Sequence, residues 1–95
     1  MRRAARVDWN QAQIVLALRK AGAFVQHLHT VGSGCPDLLV SWRGQVLLME
    51  VKDGRLPPSA RKLTPDEQAW HDAWTGPPVY LITCVADAMD ALGVK

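Results

Sequence analysis

Apolar residues along this chain change their spacing several times, and each change marks the edge of a predicted element. Over residues 10–21 they recur at helical spacing. Ile14, Ala17, Leu18 and Ala21 form a stripe that Val15 and Leu16 widen, while Asn10, Gln13 and Lys20 lie on another side. Asp8 or Asn10 can cap this helix, and Gly22, after the cationic last turn Arg19-Lys20, is placed to end it. Residues 23–29 read as a strand, and 30–35, with Gly32-Ser33-Gly34, as a loop. Two more strands, 36–42 and 45–51, are joined by Arg43-Gly44, a connection of the length that favours a primed hairpin turn. Residues 53–63, with Pro57-Pro58, form a loop. Thr64-Pro65-Asp66-Glu67 then starts a helix with a cap, a proline at the first position and a capping box. That helix carries Trp70, Ala73 and Trp74 on one stripe and ends near Gly76-Pro77-Pro78. A short strand at 79–82 and a last helix at 86–92, with Met89 and Leu92 inward and Gly93 at its end, complete the order α-β-β-β-α-β-α.

The hairpin places chemistry as well as structure. With Arg43-Gly44 as the turn, Trp42 faces Gln45, Val40 faces Leu47 and Asp37 faces Glu50. Strand alternation groups Asp37, Leu39, Val46, Leu48 and Glu50 on one face, and Leu38, Val40, Trp42, Leu47, Met49 and Val51 on the other. Both faces are largely apolar, so a sheet covered on both sides is expected, as in α/β layering. One end of one face is charged. Asp37 and Glu50 stand there with Cβ atoms about 4.5–5.5 Å apart, a like-charge pairing that costs roughly 0.2–1 kcal/mol. Lys52 lies two residues further along the same face. A bound cation reverses the penalty, so the pattern points to a divalent-metal site with a lysine beside it.

Composition narrows the partners. Hydrophobic residues at 48% and charged residues at 21% indicate a folded globular domain, here a single one over 1–95 with a basic segment at 1–8. No apolar run approaches the ~18–20 residues that span a bilayer, and no hydrophobic secretory segment follows the basic start, so a cytoplasmic location without a membrane partner is expected. Cys35 and Cys84 are too few for a disulfide scaffold and match no zinc signature; both are expected to be reduced and half-buried. The net charge of +2 predicts no nucleic-acid partner by itself, but its distribution does more. Arg2, Arg3 and Arg6 lie at the start, and Lys52, Arg55, Arg61 and Lys62 run from the acidic pair through the loop after it. A basic rim around an acidic centre suits a phosphodiester and a metal. The plainer reading of those cations is ordinary surface charge on a solvated loop.

Phosphodiester hydrolysis needs charge stabilised on the phosphoryl and leaving oxygens, which a hard divalent cation supplies. Mg²⁺, or Mn²⁺, is held by one or two carboxylates while keeping several waters. Asp37 and Glu50 offer those oxygens, the main-chain carbonyl of Val51 another, and Lys52 a cation to orient water or neutralise phosphoryl charge. Pro36-Asp37 followed by Glu50-Val51-Lys52 resembles the PD-(D/E)xK nuclease motif. The longer stretches 28–40, 50–54 and 63–71 resemble the virus-type replication-repair nuclease (VRR-NUC) family.

That resemblance covers roughly residues 10–93. It implies a mixed sheet flanked by helices and a metal-dependent endonuclease acting on DNA. It also implies selectivity for branched substrates such as four-way (Holliday) junctions, a homodimer, and a bacterial or phage source. It further implies that Gln68, on the helix after the catalytic strand, supports the site. Family members carry a glutamate on the first helix, and the matching position here is taken as Gln13, with Asn10 as a second occupant. A neutral amide there weakens the metal site more than DNA binding, so a catalytically weak DNA-binding module is the alternative. A sequence-specific restriction-type enzyme fits less well, because the chain leaves little room for a base-reading element.

Other residues read more plainly. Ser33 has no base partner, and Gly32-Ser33-Gly34 lacks the lysine of a phosphate-binding loop. Ser33 and Gly34 are expected to let the backbone turn or approach DNA, alongside Arg55, Arg61 and Lys62. His27, His29 and His71 are expected to be surface or packing residues, and the four tryptophans mostly core.

Overall fold

Arg43 and Gly44 both adopt left-handed backbone, with φ of +47° and +80°. This is the primed two-residue turn whose twist matches the strands it joins. It locks the register of the hairpin: Trp42 pairs with Gln45, Val40 with Leu47 and Leu38 with Met49. The structure, a computed structural model, describes residues 9–94. The basic start with Arg2, Arg3 and Arg6, and the alternative cap Asp8, lie outside the described residues.

The elements follow the predicted order. They are α1 (Gln11–Lys20), β1 (Phe24–His27), β2 (Leu38–Trp42), β3 (Gln45–Val51), a 3-10 turn (Pro58–Ala60), α2 (Pro65–Ala73), β4 (Tyr80–Ile82) and α3 (Val85–Leu92). The sheet runs β1-β2-β3-β4, antiparallel except for the parallel β3–β4 pair, and is therefore mixed.

One face of the sheet forms the core. Val25, Leu38, Val40, Leu47, Met49, Val51 and Ile82 pack against Ile14, Val15 and Leu18 of α1 and Ala88 and Leu92 of α3. Each large aliphatic side chain buried here contributes about 1.5–3 kcal/mol, so this layer holds the fold together. The Trp42 indole N–H donates to the carbonyl of Ala21 at 2.9 Å, tying the hairpin to the end of α1. The expected stripe on α1 is corrected at one position. Leu16 is 58% exposed, and Gln11 is buried instead. At about 100° per residue, Gln11 falls inside the arc of Ile14, Val15 and Leu18, whereas Leu16 points away from it.

The second face departs from expectation. Its residues form three cross-strand rows: Phe24, Ser41 and Val46; then Gln26, Leu39 and Leu48; then the level of Asp37, Glu50 and Leu81. Phe24, Val46 and Leu81 are 61%, 64% and 51% exposed, so this face is not covered as predicted. Shelter is local: Glu50 is buried at one end, and Leu39, Val46 and Leu48 line a shallow hollow of about 220 Å³ with Trp74 and Pro77. The reason lies in α2, whose nine residues bury no side chain completely and make their closest contacts at the Glu50 end.

Candidate active site

Asp37 sits one residue before β2 and is anchored twice. Its main-chain carbonyl accepts the N–H of Leu28 at 2.8 Å, and its Oδ2 accepts the N–H of Val51 at 2.7 Å. The second bond stitches the carboxylate to the end of β3, beside Glu50. Glu50 is 1% exposed, and its Oε1 has no hydrogen-bond partner in the protein. Burial, the adjoining Asp37 carboxyl and the nearby Glu67 together push Glu50 up to about 10. With no cation present, Glu50 therefore keeps its proton at neutral pH. An orphaned, buried carboxyl oxygen beside a second acid fits a hard divalent cation, which favours the ionised form that burial disfavours. Among the described residues, no three His, Cys, Asp or Glu side chains converge as a ready-made metal cage. An ion here would thus be held by few protein atoms and by water.

Lys52 is not free. Its Nζ donates to Glu67 Oε1 at 2.7 Å, and the same oxygen accepts the N–H of Thr64 at 2.8 Å. Thr64 Oγ1 in turn accepts the N–H of Glu67, which completes the predicted capping box at the start of α2. Burial raises the Glu67 carboxyl, but Lys52 and the Thr64 N–H more than offset it, leaving it below the usual range. Gly34 explains how α2 comes so close. With φ at +80°, it lies directly against the backbone of Asp66 and Glu67, where any Cβ would collide. The glycine loop thus seats the first turn of α2, and α2 brings a carboxylate to the lysine. His71, four residues after Glu67 and on the same helical face, places Nε2 at 3.6 Å from Glu50 Oε1.

The cluster brought together is therefore Asp37, Glu50, Lys52, Glu67 and His71. The sequence marks Glu67 only as a helix cap, and His71 only as a surface or packing residue. The signal for both was their i, i+4 spacing behind a capping box, which sets them on one face. Gln68, one residue round the helix, is exposed, and its amide donates to Asp72 at 2.8 Å. It makes no hydrogen bond to the acid pair or to Lys52.

Gln13 is also placed elsewhere. It is exposed, on a cleft of about 280 Å³ with Trp9, Asn10, Arg55 and Thr83. The buried amide of α1 is Gln11, whose Nε2 lies 3.3 Å from His27 Nδ1 and whose Oε1 has no partner. Asn10 turns its Nδ2 to the carbonyls of Lys52 and Thr83, fastening the start of α1 to the ends of β3 and β4.

The residues expected to face DNA are placed separately. Ser33 is exposed with φ of +56°, whereas Gly34 turns to α2. Arg55 lies with its guanidinium 3.8 Å from the Trp9 ring centroid and pairs with Asp53, which it holds down to about 2. Arg61 is half-buried and Lys62 exposed. Both cysteines are free. Cys84 is exposed, against expectation, while Cys35 is half-buried, and burial and the acid pair push its thiol up.

The chain matches no protein-family model and no curated protein. It is similar to a solved structure described as a VRR_NUC domain, with a TM-score of 0.63 and 22% identity over 88% of this chain and 95% of that one. No helix among the described residues is long and apolar enough to cross a membrane. The mixed four-stranded sheet, the flanking helices and the near-complete overlap agree: this chain has the fold of the VRR_NUC domain.

Proposed function

We propose that the chain is a metal-dependent endodeoxyribonuclease of the VRR-NUC type, cutting branched DNA such as four-way junctions as a homodimer. The observation that carries this reading is the acid pair: Glu50, buried with an unpartnered oxygen, stands beside an Asp37 anchored to the same strand end. Mg²⁺ or Mn²⁺, held by Asp37, Glu50 and the Val51 carbonyl, would supply Lewis acidity toward a phosphoryl oxygen. The chain's own groups do the rest. Asp37, fixed by the Val51 N–H, keeps its carboxylate oriented. Lys52 offers an ammonium to the charge that gathers on the phosphoryl oxygens, and Glu67 holds that ammonium in place. Ser33, Arg55, Arg61 and Lys62 provide the polar and cationic surface for the sugar-phosphate backbone. The uncovered apolar row of Phe24 and Val46 is the surface on which a second copy pairs.

The experiment is cleavage of a synthetic four-way junction in Mn²⁺ by the wild type, Asp37→Ala and Lys52→Ala. Each substitution is expected to lower the rate by about 10²-fold or more. Undiminished cleavage by either variant removes the mechanism. A second reading, a DNA-binding module with weak turnover, draws on one observation: few protein ligands converge at the acid pair. Calorimetric titration with Mn²⁺ separates the two, since absent ion binding with intact junction affinity favours the module.

A further inference from the structure

His71 Nε2 and Glu50 Oε1 face each other at 3.6 Å, too far for a hydrogen bond. Both atoms are buried, and neither has a hydrogen-bond partner in the protein. Each buried, unpaired polar atom has lost its water without a replacement, which disfavours the arrangement as it stands. One electrophile that accepts a lone pair from each atom removes both penalties at once. Metal bonds to imidazole nitrogen and carboxylate oxygen are about 2.0–2.2 Å long, so two of them can span up to about 4 Å. The observed separation needs no backbone movement to admit such an ion. α2 sets His71 there through the contacts that seat it, Gly34 against its first turn and Lys52 on Glu67.

We propose that His71 is a nitrogen ligand of the ion held by Glu50, and that the site therefore prefers a first-row transition ion to Mg²⁺. The inference rests on the metal-site reading of the acid pair. An all-oxygen site suits Mg²⁺, whereas an imidazole donor shifts preference toward Co²⁺, Ni²⁺ or Zn²⁺, with Mn²⁺ also bound. His71 is then a ligand of the ion, and Glu67, one turn earlier, remains a positioning residue for Lys52.

The test uses the full chain without DNA. Mn²⁺ is bound to the wild type, and pulsed electron paramagnetic resonance reads ¹⁴N modulation from a coordinated imidazole. Modulation is expected in the wild type and lost in His71→Leu. Calorimetry with Co²⁺ and Mg²⁺ is expected to show Co²⁺ affinity falling at least about tenfold in His71→Leu, while Mg²⁺ affinity changes by less than about twofold. Mn²⁺ bound to the wild type without ¹⁴N modulation overturns the proposal and leaves the nuclease reading standing; this outcome needs no variant to fold. Modulation that persists in His71→Leu also overturns it. Nitrogen coordination with no DNA cleavage upholds His71 as a ligand and sinks the nuclease reading instead. No divalent ion bound at all overturns both.

Discussion

Glu50 ends the hydrophobic run of β3 as a carboxyl enclosed by Asp37, Glu67 and His71, so its protonation controls the metal-free protein. Its folded value is raised to about 10 from an ordinary 4.5. Between those values the folded state keeps a proton that the unfolded chain has lost, so stability must fall as pH rises through that window. The slope for one such proton approaches about 1.4 kcal/mol per pH unit. Urea unfolding of the metal-free wild type between pH 7 and 9 is expected to show this loss. Glu50→Gln is expected to flatten it and be more stable at pH 9, while abolishing ion binding. Glu67 gives a second residue-scale prediction. Glu67→Gln keeps an acceptor for Thr64 but removes the negative charge that holds the Lys52 ammonium, so junction cleavage should fall about 10–100-fold with a urea midpoint close to wild type. Gln68→Ala should leave both measurements within error, since the Gln68 side chain is exposed and donates its hydrogen bond to Asp72.

Asp37, Glu50 and Lys52 were legible because strand alternation is a strict period and the Arg43-Gly44 turn fixed it. Helices are less strict. Gln13 and Gln68 lie exposed, one or two positions from Gln11 and Glu67, which turn inward, and on a helix that step rotates a residue by about 100–200°.

Elements with local signals formed as expected, including the primed turn, the Thr64 capping box and the left-handed Gly93 after α3. What no local signal could show was the docking of one element on another. The seat of Gly34 on α2 joins a loop to a helix some thirty residues later in the chain. Gly34→Ala combines a positive φ with a collision against the Asp66 carbonyl, whereas Gly32→Ala has the same backbone sign but nothing within reach. Gly34→Ala is expected to lose about 2–4 kcal/mol in urea unfolding and to cut cleavage with it. Gly32→Ala is expected to lose only about 1–2 kcal/mol.

Across the whole molecule the two faces of the sheet are unequal. The hydropathy pattern showed that both were apolar, but apolar character alone does not name the covering layer, and α1 and α3 both went to one side. Phe24 and Val46, linked through Ser41 across three strands, remain in solvent. Pairing of two copies on this row predicts a dimer at micromolar concentration by sedimentation velocity. Val46→Lys should return it to a monomer, whose own unfolding free energy changes by no more than about 0.5 kcal/mol. A monomeric wild type removes this assembly.

One feature of α2 reaches furthest. It bears the carboxylate that steadies Lys52 and the imidazole beside Glu50, yet it contributes no fully buried side chain to the core. Two of the five clustered residues are therefore fastened to the domain by charge, by a bare patch of backbone and by partly exposed aromatics, with no completely buried side chain. Because the Lys52–Glu67 ion pair is mostly shielded from water, added salt screens it only weakly, and the seat of Gly34 on the first turn decides how firmly the helix stays joined.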